Sequence, residues 1–262
     1  SEINGIFPLR GKKNHCVLGL DGKWLHRYGV VMIYRNVTTG VNLWWSFQKS
    51  ESYQNLSEDF YRVWLLTNHH LPDGIVSDWK GSIVALSEAF FPDSVHQRCL
   101  AHLVREAKRL LPAGSHFFFT LKLRGIAQEI IDISTPSDYY DWSEKLVSWE
   151  KDYSFILKVK TKGIGTQKKW WYTHGNLRRA IRLLTKDQDS LFKYLHHPFL
   201  PKTNNSLEGV NSQLKRKLGN HRGMKSNQQI SFCFWCLTFS RVKNKEDLKI
   251  LWDSLKKKIF AV

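Results

Sequence analysis

Two aspartates stand where the sequence otherwise predicts buried strands. Asp21 lies inside the apolar run 16–24, CVLGLDGKW, and Asp78 ends the run 74–78, GIVSD. A carboxylate in such a place is costly unless it is paired, hydrogen-bonded or coordinated to a metal. Phosphoryl transfer by two metals needs carboxylates from separate elements that converge on ions about 3.5–4 Å apart, and Mg²⁺ prefers oxygen ligands. Both aspartates are therefore candidate metal ligands.

A third candidate ligand, Glu208, begins a predicted late helix that is rich in Asn, Gln, Lys and Arg. Each acid alone also has a structural interpretation, because an aspartate at a strand end often caps a turn and a glutamate in a first helical turn often only faces the helix dipole. The joint pattern favours catalysis. Asn211 and Lys215 follow Glu208 at i+3 and i+7, so they share its helix face, and Asn211 is a candidate supporting residue.

The composition points to a polyanionic partner. The 262 residues include 40 Lys and Arg against 23 Asp and Glu, a net charge of +17, which favours nucleic acid. A membrane partner is not expected, because no run approaches the ~20 apolar residues of a spanning helix, and the start of the chain has no signal-peptide pattern. Four scattered cysteines favour a reducing intracellular compartment over a disulfide framework.

Basic and aromatic residues in two segments are the candidate DNA contacts. Trp170 and Trp171 stand between the basic loop 158–169, which we predict to be solvated, and a group of arginines, an arrangement that suits stacking on unpaired bases together with phosphate contact. Packing of one of these tryptophans onto the sheet is the alternative. The late helix adds a second basic group along the expected DNA path. The predicted DNA contacts are Lys168, Lys169, Trp170, Trp171, Arg178, Arg179, Lys215, Arg216 and Lys217.

The cysteines do not complete a zinc site. Cys99 and His102 form a Cys-x-x-His pair, but four ligands are normal and no second pair has suitable spacing. Core packing is one interpretation of Cys99. Cys233 and Cys236 lie in the apolar helical run SFCFWCLTF and are interpreted as core residues.

These residues need a scaffold, and the hydrophobic pattern supplies one. Strands alternate with helices in the first part of the chain, which predicts a mixed α/β sheet with flanking helices. A mainly helical segment follows, with Trp142 and Trp149 as a core stripe, before the helix that carries Glu208. The predicted strands are 16–24, 27–36, 41–48, 74–78 and 94–98. The predicted helices are 55–68, 81–91, 99–111, 206–218, 226–243 and 246–259. The predicted domains are 1–111 (first part of the core), 112–203 (helical insertion) and 204–262 (last part of the core).

The motifs together resemble the DDE transposases of the Mutator-like superfamily, including bacterial insertion-sequence transposases. The matching stretches are LGLDGKWL, GIVSDWKGSI, HQRCLAHLVREAKR, WWYTHGNLRRAIRLL and TNNSLEGVNSQLKRKLGNHRG, from about residue 16 to 240. The resemblance implies an RNase H-like fold with a helical insertion before the last catalytic helix. It also implies that Asp21, Asp78 and Glu208 bind two Mg²⁺ ions, with Mn²⁺ as a substitute. The Cys-x-x-His pair lies near the active site in that family, so the resemblance makes Cys99 and His102 candidates for active-site support, with His102 orienting substrate or an acid and core packing of Cys99 as the alternative.

The function implied by the resemblance is cleavage of transposon ends to leave a 3′-hydroxyl, followed by attack of that hydroxyl on target DNA. The implied partners are duplex DNA with terminal repeats, target DNA and a second copy of the chain in a homodimer. The expected compartment is the cytoplasm, in association with the nucleoid, if the protein is bacterial, and the nucleus if it is eukaryotic. Two alternatives stay open: an RNase H-like nuclease without strand transfer, and a transposase-derived DNA-binding protein. Relatives usually carry an N-terminal DNA-binding module, and we expect that one is missing from this chain.

Overall fold

The computed structural model describes residues 15–67, 72–163, 169–221 and 223–259, except for the side chains of 255 and 257–259. The described residues form two compact units. One unit draws on Ser1–Gln97 and Phe199–Val262, and the other on Arg98–Pro198. No helix in the described part of the chain is long and apolar enough to cross a bilayer.

The first unit is built on a mixed five-stranded sheet of order β3-β2-β1-β4-β5. Strand β1 pairs with β2 in antiparallel and with β4 in parallel orientation, and β2 pairs with β3 in antiparallel orientation. The fold class is therefore α/β with a mixed sheet, as the alternation of strands and helices predicted. The strands are β1 (Val17–Trp24), β2 (Val30–Asn36), β3 (Val41–Gln48), β4 (Gly74–Ser77) and β5 (Val95–Arg98).

Two apolar layers cover this sheet, because side chains alternate between the faces of each strand. One face, with Leu18 and Leu20, packs on the first two helices of the unit; the other, with Val31 and Ile33, packs on the next two. The odd-numbered positions of β1, which include Asp21, belong to the second face. The helices of this unit are α1 (Tyr53–Leu66), α2 (Gly81–Phe90), α7 (Asn205–Gly219), α8 (Ser226–Phe239) and α9 (Lys245–Ile259).

The second unit is mainly helical, as predicted for the segment before the last helices. Trp142 and Trp149 are both buried in its core, which confirms the predicted stripe. Helix α3, which the sequence analysis grouped with the sheet, contributes its apolar face to this unit. The helices of this unit are α3 (Leu100–Leu110), α4 (Phe118–Glu129), α5 (Pro136–Tyr153) and α6 (Gly175–Thr185).

A short hairpin interrupts the helices of the second unit. Strands β6 (Lys160–Lys162) and β7 (Trp170–Tyr172) pair in antiparallel orientation. The segment 158–169, predicted to be a solvated basic loop, therefore contains a short strand in its first part. Residues 164–168, which include the predicted DNA contact Lys168, lie outside the described residues.

Candidate active site

Asp21 and Asp78 occupy equivalent positions on two neighbouring parallel strands. The register pairs Val17 with Gly74 and Gly19 with Val76, so its continuation places Asp21 opposite Asp78, one residue beyond the end of β4. Parallel strands lie about 4.8 Å apart. The two aspartates are therefore neighbours at the carboxyl edge of the sheet centre, and both are only partly exposed.

Helix α7 begins against β1, next to Asp21. The side-chain amide nitrogen of Asn204 donates to the carbonyl oxygen of Leu20 at 3.1 Å, while the backbone carbonyl oxygen of Asn204 accepts the backbone N–H of Glu208 at 3.0 Å. Gly19 permits this approach, since a Cβ there would lie 2.7 Å from Oδ1 of Asn204. Asn204 is the N-cap residue of α7, but its side chain joins the helix to the strand and makes no capping bond.

Asn211 brings helix α7 into contact with Asp21. Its amide nitrogen donates to Oδ2 of Asp21 at 2.7 Å, and the backbone N–H of Gly22 donates to Oδ1 at 2.9 Å. The amide oxygen of Asn211 is buried and accepts no hydrogen bond within the described structure. A buried carbonyl oxygen without a donor, beside a carboxylate, is chemistry that suits a hard cation. Glu208 precedes Asn211 by three residues, so both belong to one helix face.

The three candidate ligands are not gathered into one tight cluster. Among the residues that the structure describes, the oxygens of Asp21, Asp78 and Glu208 do not all lie within 4.8 Å of one another. A single ion held by all three would need a tighter arrangement. Two ions about 3.5–4 Å apart spread their ligands over a wider site, so binding of a metal pair by Asp21, Asp78 and Glu208 stays a prediction.

A lysine and a second carboxylate flank Asp78, and the sequence analysis missed both. The Lys80 ammonium lies 3.1 Å from Oδ2 of Asp78 and also bonds Oε2 of Glu51, which accepts from the Trp24 indole at 3.2 Å. The Glu51 side chain is only 7% exposed. Burial lowers the pKa of Lys80, but the charges of Asp78 and Glu51 outweigh burial and leave it raised. A cation is thus already held beside Asp78.

A largely buried histidine supports the strand end that carries Asp78. His96 Nε2 lies 2.8 Å from the hydroxyl oxygen of Ser77, and the ring packs on Trp79 with centroids 4.7 Å apart. Burial lowers the pKa of His96 to about 4, although the charge of Asp78 opposes the shift. Trp79 has φ +66°, a left-handed conformation that non-glycine residues rarely adopt. The chain therefore turns sharply just after Asp78.

The predicted DNA contacts of the second unit lie on and beside the hairpin. Trp170 and Trp171 are 47% and 43% exposed, and Lys169 is exposed. Arg178 is committed to internal contacts: its guanidinium lies 3.6 Å from the Tyr172 ring centroid and donates to a backbone carbonyl. Arg179 is exposed. The exposed tryptophans are available for stacking, and DNA contact by this group stays a prediction.

The three consecutive basic residues of α7 lie on different faces of the helix. Lys215, Arg216 and Lys217 are all exposed. Lys215 shares the face of Glu208 and Asn211, whereas Lys217 is turned away from it by the helical period. Of the three, Lys215 is the one on the face of Glu208 and Asn211, and DNA contact by these residues stays a prediction.

Cys99 and His102 lie in the second unit, and Cys233 lies in the first. Cys99 is fully buried and precedes the first turn of α3, and His102 is partly exposed within that turn. Burial of Cys99 agrees with the packing alternative, and active-site support by this pair stays a prediction. Cys233 is buried as predicted, and burial raises the pKa of its thiol to about 11.

Comparisons with known proteins add no relative to this description: no protein-family model matches the chain, and no curated protein matches it.

Proposed function

We propose that this chain is an RNase H-like, metal-dependent polynucleotidyl transferase, a DDE transposase that cuts and joins DNA. The observation that carries the proposal is the parallel register of β1 and β4, which pairs Gly19 with Val76 and, when continued by two residues, brings Asp21 opposite Asp78. Helix α7 supports it, because Asn211 of this helix binds Asp21 and Glu208 shares its face.

The ligands of the proposed metal pair are Asp21, Asp78 and Glu208. Bound Mg²⁺ would activate the attacking oxygen and stabilise the leaving oxygen of an in-line displacement. Asn211 donates a hydrogen bond to one oxygen of the Asp21 carboxylate. This contact fixes the orientation of the carboxylate, and with it the direction in which its remaining lone pairs could bind a metal. The net charge of +17 attracts the polyanionic substrate, and Lys215 extends the binding surface along α7.

The proposed substrates are duplex DNA with terminal repeats and target DNA, and the proposed assembly is a homodimer on DNA. A nuclease without strand transfer would use the same carboxylates. It is the second candidate because water and a 3′-hydroxyl are equivalent nucleophiles for such a site. A transposase-derived DNA-binding protein is less well supported, since binding alone has no need for acids that repel phosphate.

The test is metal-dependent cleavage and joining of DNA by the wild type and by Asp78→Asn. Asp78→Asn removes a ligand charge but little volume, so cleavage should fall to background while DNA binding persists. Asp93→Asn is the matched control, because Asp93 is an exposed acid of the same unit. Joined products identify the transferase, cleavage alone identifies the nuclease, and equal cleavage by both variants would remove Asp78 from the site.

A further inference from the structure

A cavity of about 700 Å³ lies against α7, on a different face of the helix from the one that carries Asn211. Its walls come from three places in the first unit: the turn between β2 and β3, helix α7, and α8 with the segment that follows it. Cavities of about 300–1,000 Å³ are the usual size for small-molecule and cofactor sites. The cavity is thus large enough for a ligand of nucleotide size.

Positive charge dominates the walls of this cavity. Four cationic side chains and one carboxylate line it, namely Arg35, Lys217, Arg241, Lys243 and Asp247. Burial lowers the pKa of Arg241 to about 10, and the charge of Asp247 opposes the shift, so Arg241 stays protonated at neutral pH. The excess of cations over carboxylates favours an anionic ligand.

Arg35 supplies the strongest indication of an anion. Its Nε donates to the Ser206 hydroxyl at 2.7 Å and its Nη1 to the Asn42 amide oxygen at 2.6 Å. Both partners are neutral, and no carboxylate contacts the guanidinium within the described part of the chain. Burial lowers the pKa of Arg35. A half-buried cation with only neutral partners is costly, and a guanidinium with spare N–H groups is well suited to phosphate.

Aromatic side chains form the apolar part of the wall of the same cavity. Phe232, Trp235 and Phe239 line it, and Trp235 and Phe239 are 39% and 52% exposed. Their ring centroids are 5.7 Å apart. Exposed aromatic rings beside cations are the combination that binds a nucleobase by stacking and its phosphate by charge.

We propose that this cavity is a nucleotide-binding site, which takes a nucleoside phosphate with the base against Trp235 and Phe239 and the phosphate at Arg35 and Lys217. The same chemistry is presented by a free mononucleotide and by an unpaired nucleotide of a DNA strand. The site is separate from Asp21 and Asp78, so it does not depend on the metal chemistry of the proposed function.

The test is isothermal titration calorimetry in EDTA with dAMP and, separately, with a short single-stranded oligonucleotide. EDTA keeps metal away from the carboxylates, so a failure here is distinct from a failure of the proposed transferase. The variants are Lys217→Ala and Phe239→Ala, both at exposed positions, where substitutions usually change stability little. Lys151→Ala and Phe155→Ala are the matched controls, because they remove the same groups from exposed positions in the second unit.

A loss of about tenfold or more in dAMP affinity for both cavity variants, with unchanged controls, supports a free-nucleotide site. No dAMP binding, but the same pattern with the oligonucleotide, supports a site for an unpaired nucleotide of a strand. Absence of binding by both probes, or equal losses in cavity variants and controls, overturns the proposal.

Discussion

The amide nitrogen of Asn211 lies 2.7 Å from Oδ2 of Asp21 and donates a hydrogen bond to it. The contact joins two residues that are far apart in sequence, one in the central strand and one in α7. Because the other oxygen of Asp21 accepts the N–H of Gly22, the carboxylate is oriented from both sides. Partners that orient a ligand in this way commonly determine metal affinity.

Asn211→Ala should therefore weaken divalent-cation binding by about tenfold or more, because Asp21 loses its orienting donor and the site loses an amide oxygen. The measurement is the rise in melting temperature as Ca²⁺ is added, which requires no turnover. Ser212→Ala, at an exposed position of the same helix, should respond to Ca²⁺ as the wild type does. A normal Ca²⁺ response of Asn211→Ala would show that Asn211 does not contribute to a metal site.

Replacing two glycines near this contact by alanine should change the stability of the fold in opposite directions. At Gly19 a Cβ would lie 2.6 Å from a Val37 methyl and 2.7 Å from the Asn204 amide, so Gly19→Ala should destabilise the fold by about 1–3 kcal/mol. At Gly209, inside α7, a Cβ meets nothing within 4 Å. Gly209→Ala should stabilise it by about 0.5–1 kcal/mol, because alanine loses less backbone entropy in a helix.

Urea denaturation of both variants measures these changes in the free energy of unfolding. A neutral Gly19→Ala would mean that β1 and α7 can separate at little cost. The close approach of α7 to Asp21 would then not be fixed by packing.

The sequence was sufficient for the parts of the fold that rest on periodicity. The apolar runs around Asp21 and before Asp78 predicted their strands, because burial on both faces of a central strand leaves a continuous apolar pattern. The tryptophans of α5 were predicted for a similar reason: Trp142 and Trp149 are seven residues apart, and seven residues are close to two helical turns.

The sequence was not sufficient where contacts join distant segments or where strands are short and polar. Glu51 and Lys80 meet beside Asp78 through tertiary structure alone, so no local pattern marks them. The strand Lys160–Lys162 has no apolar period. It is stabilised by cross-strand contacts, with Lys160 4.0 Å from the Trp170 ring centroid, which a local pattern does not reveal.

Asp59 lies on the sheet face away from α7, and its ionisation should make the stability of the fold depend on pH. It is 2% exposed and accepts hydrogen bonds from Tyr34, Trp44, Ser46 and Gln48. Burial raises the pKa of Asp59 above its ordinary 3.8, against the opposing effect of these hydrogen bonds. The folded protein therefore binds this proton more tightly than the unfolded chain does.

The stability that comes from this proton is complete below the unfolded pKa of 3.8 and is lost as pH rises through the higher folded pKa. Asp59→Asn should cost about 1–3 kcal/mol, because the donors around it lose a charged acceptor. The difference in unfolding free energy between wild type and variant should grow as pH falls from about 7 towards 3.8. A difference that shrinks over this range would mean that the hydrogen bonds outweigh burial.

Lys215 tests whether the face of α7 that carries Glu208 and Asn211 follows the DNA. If Lys215 contacts a phosphate, Lys215→Ala should weaken DNA binding similarly for all sequences and reduce the slope of log K against log salt by about 0.9. The measurement is a salt titration of duplex binding by fluorescence anisotropy. Lys151→Ala is the control, since it removes the same charge from an exposed position of α5. Equal slopes for Lys215→Ala and the wild type would place the DNA elsewhere. Loss of long-range attraction alone can lower the affinity, but the salt slope falls only when a contact that releases a counterion is removed.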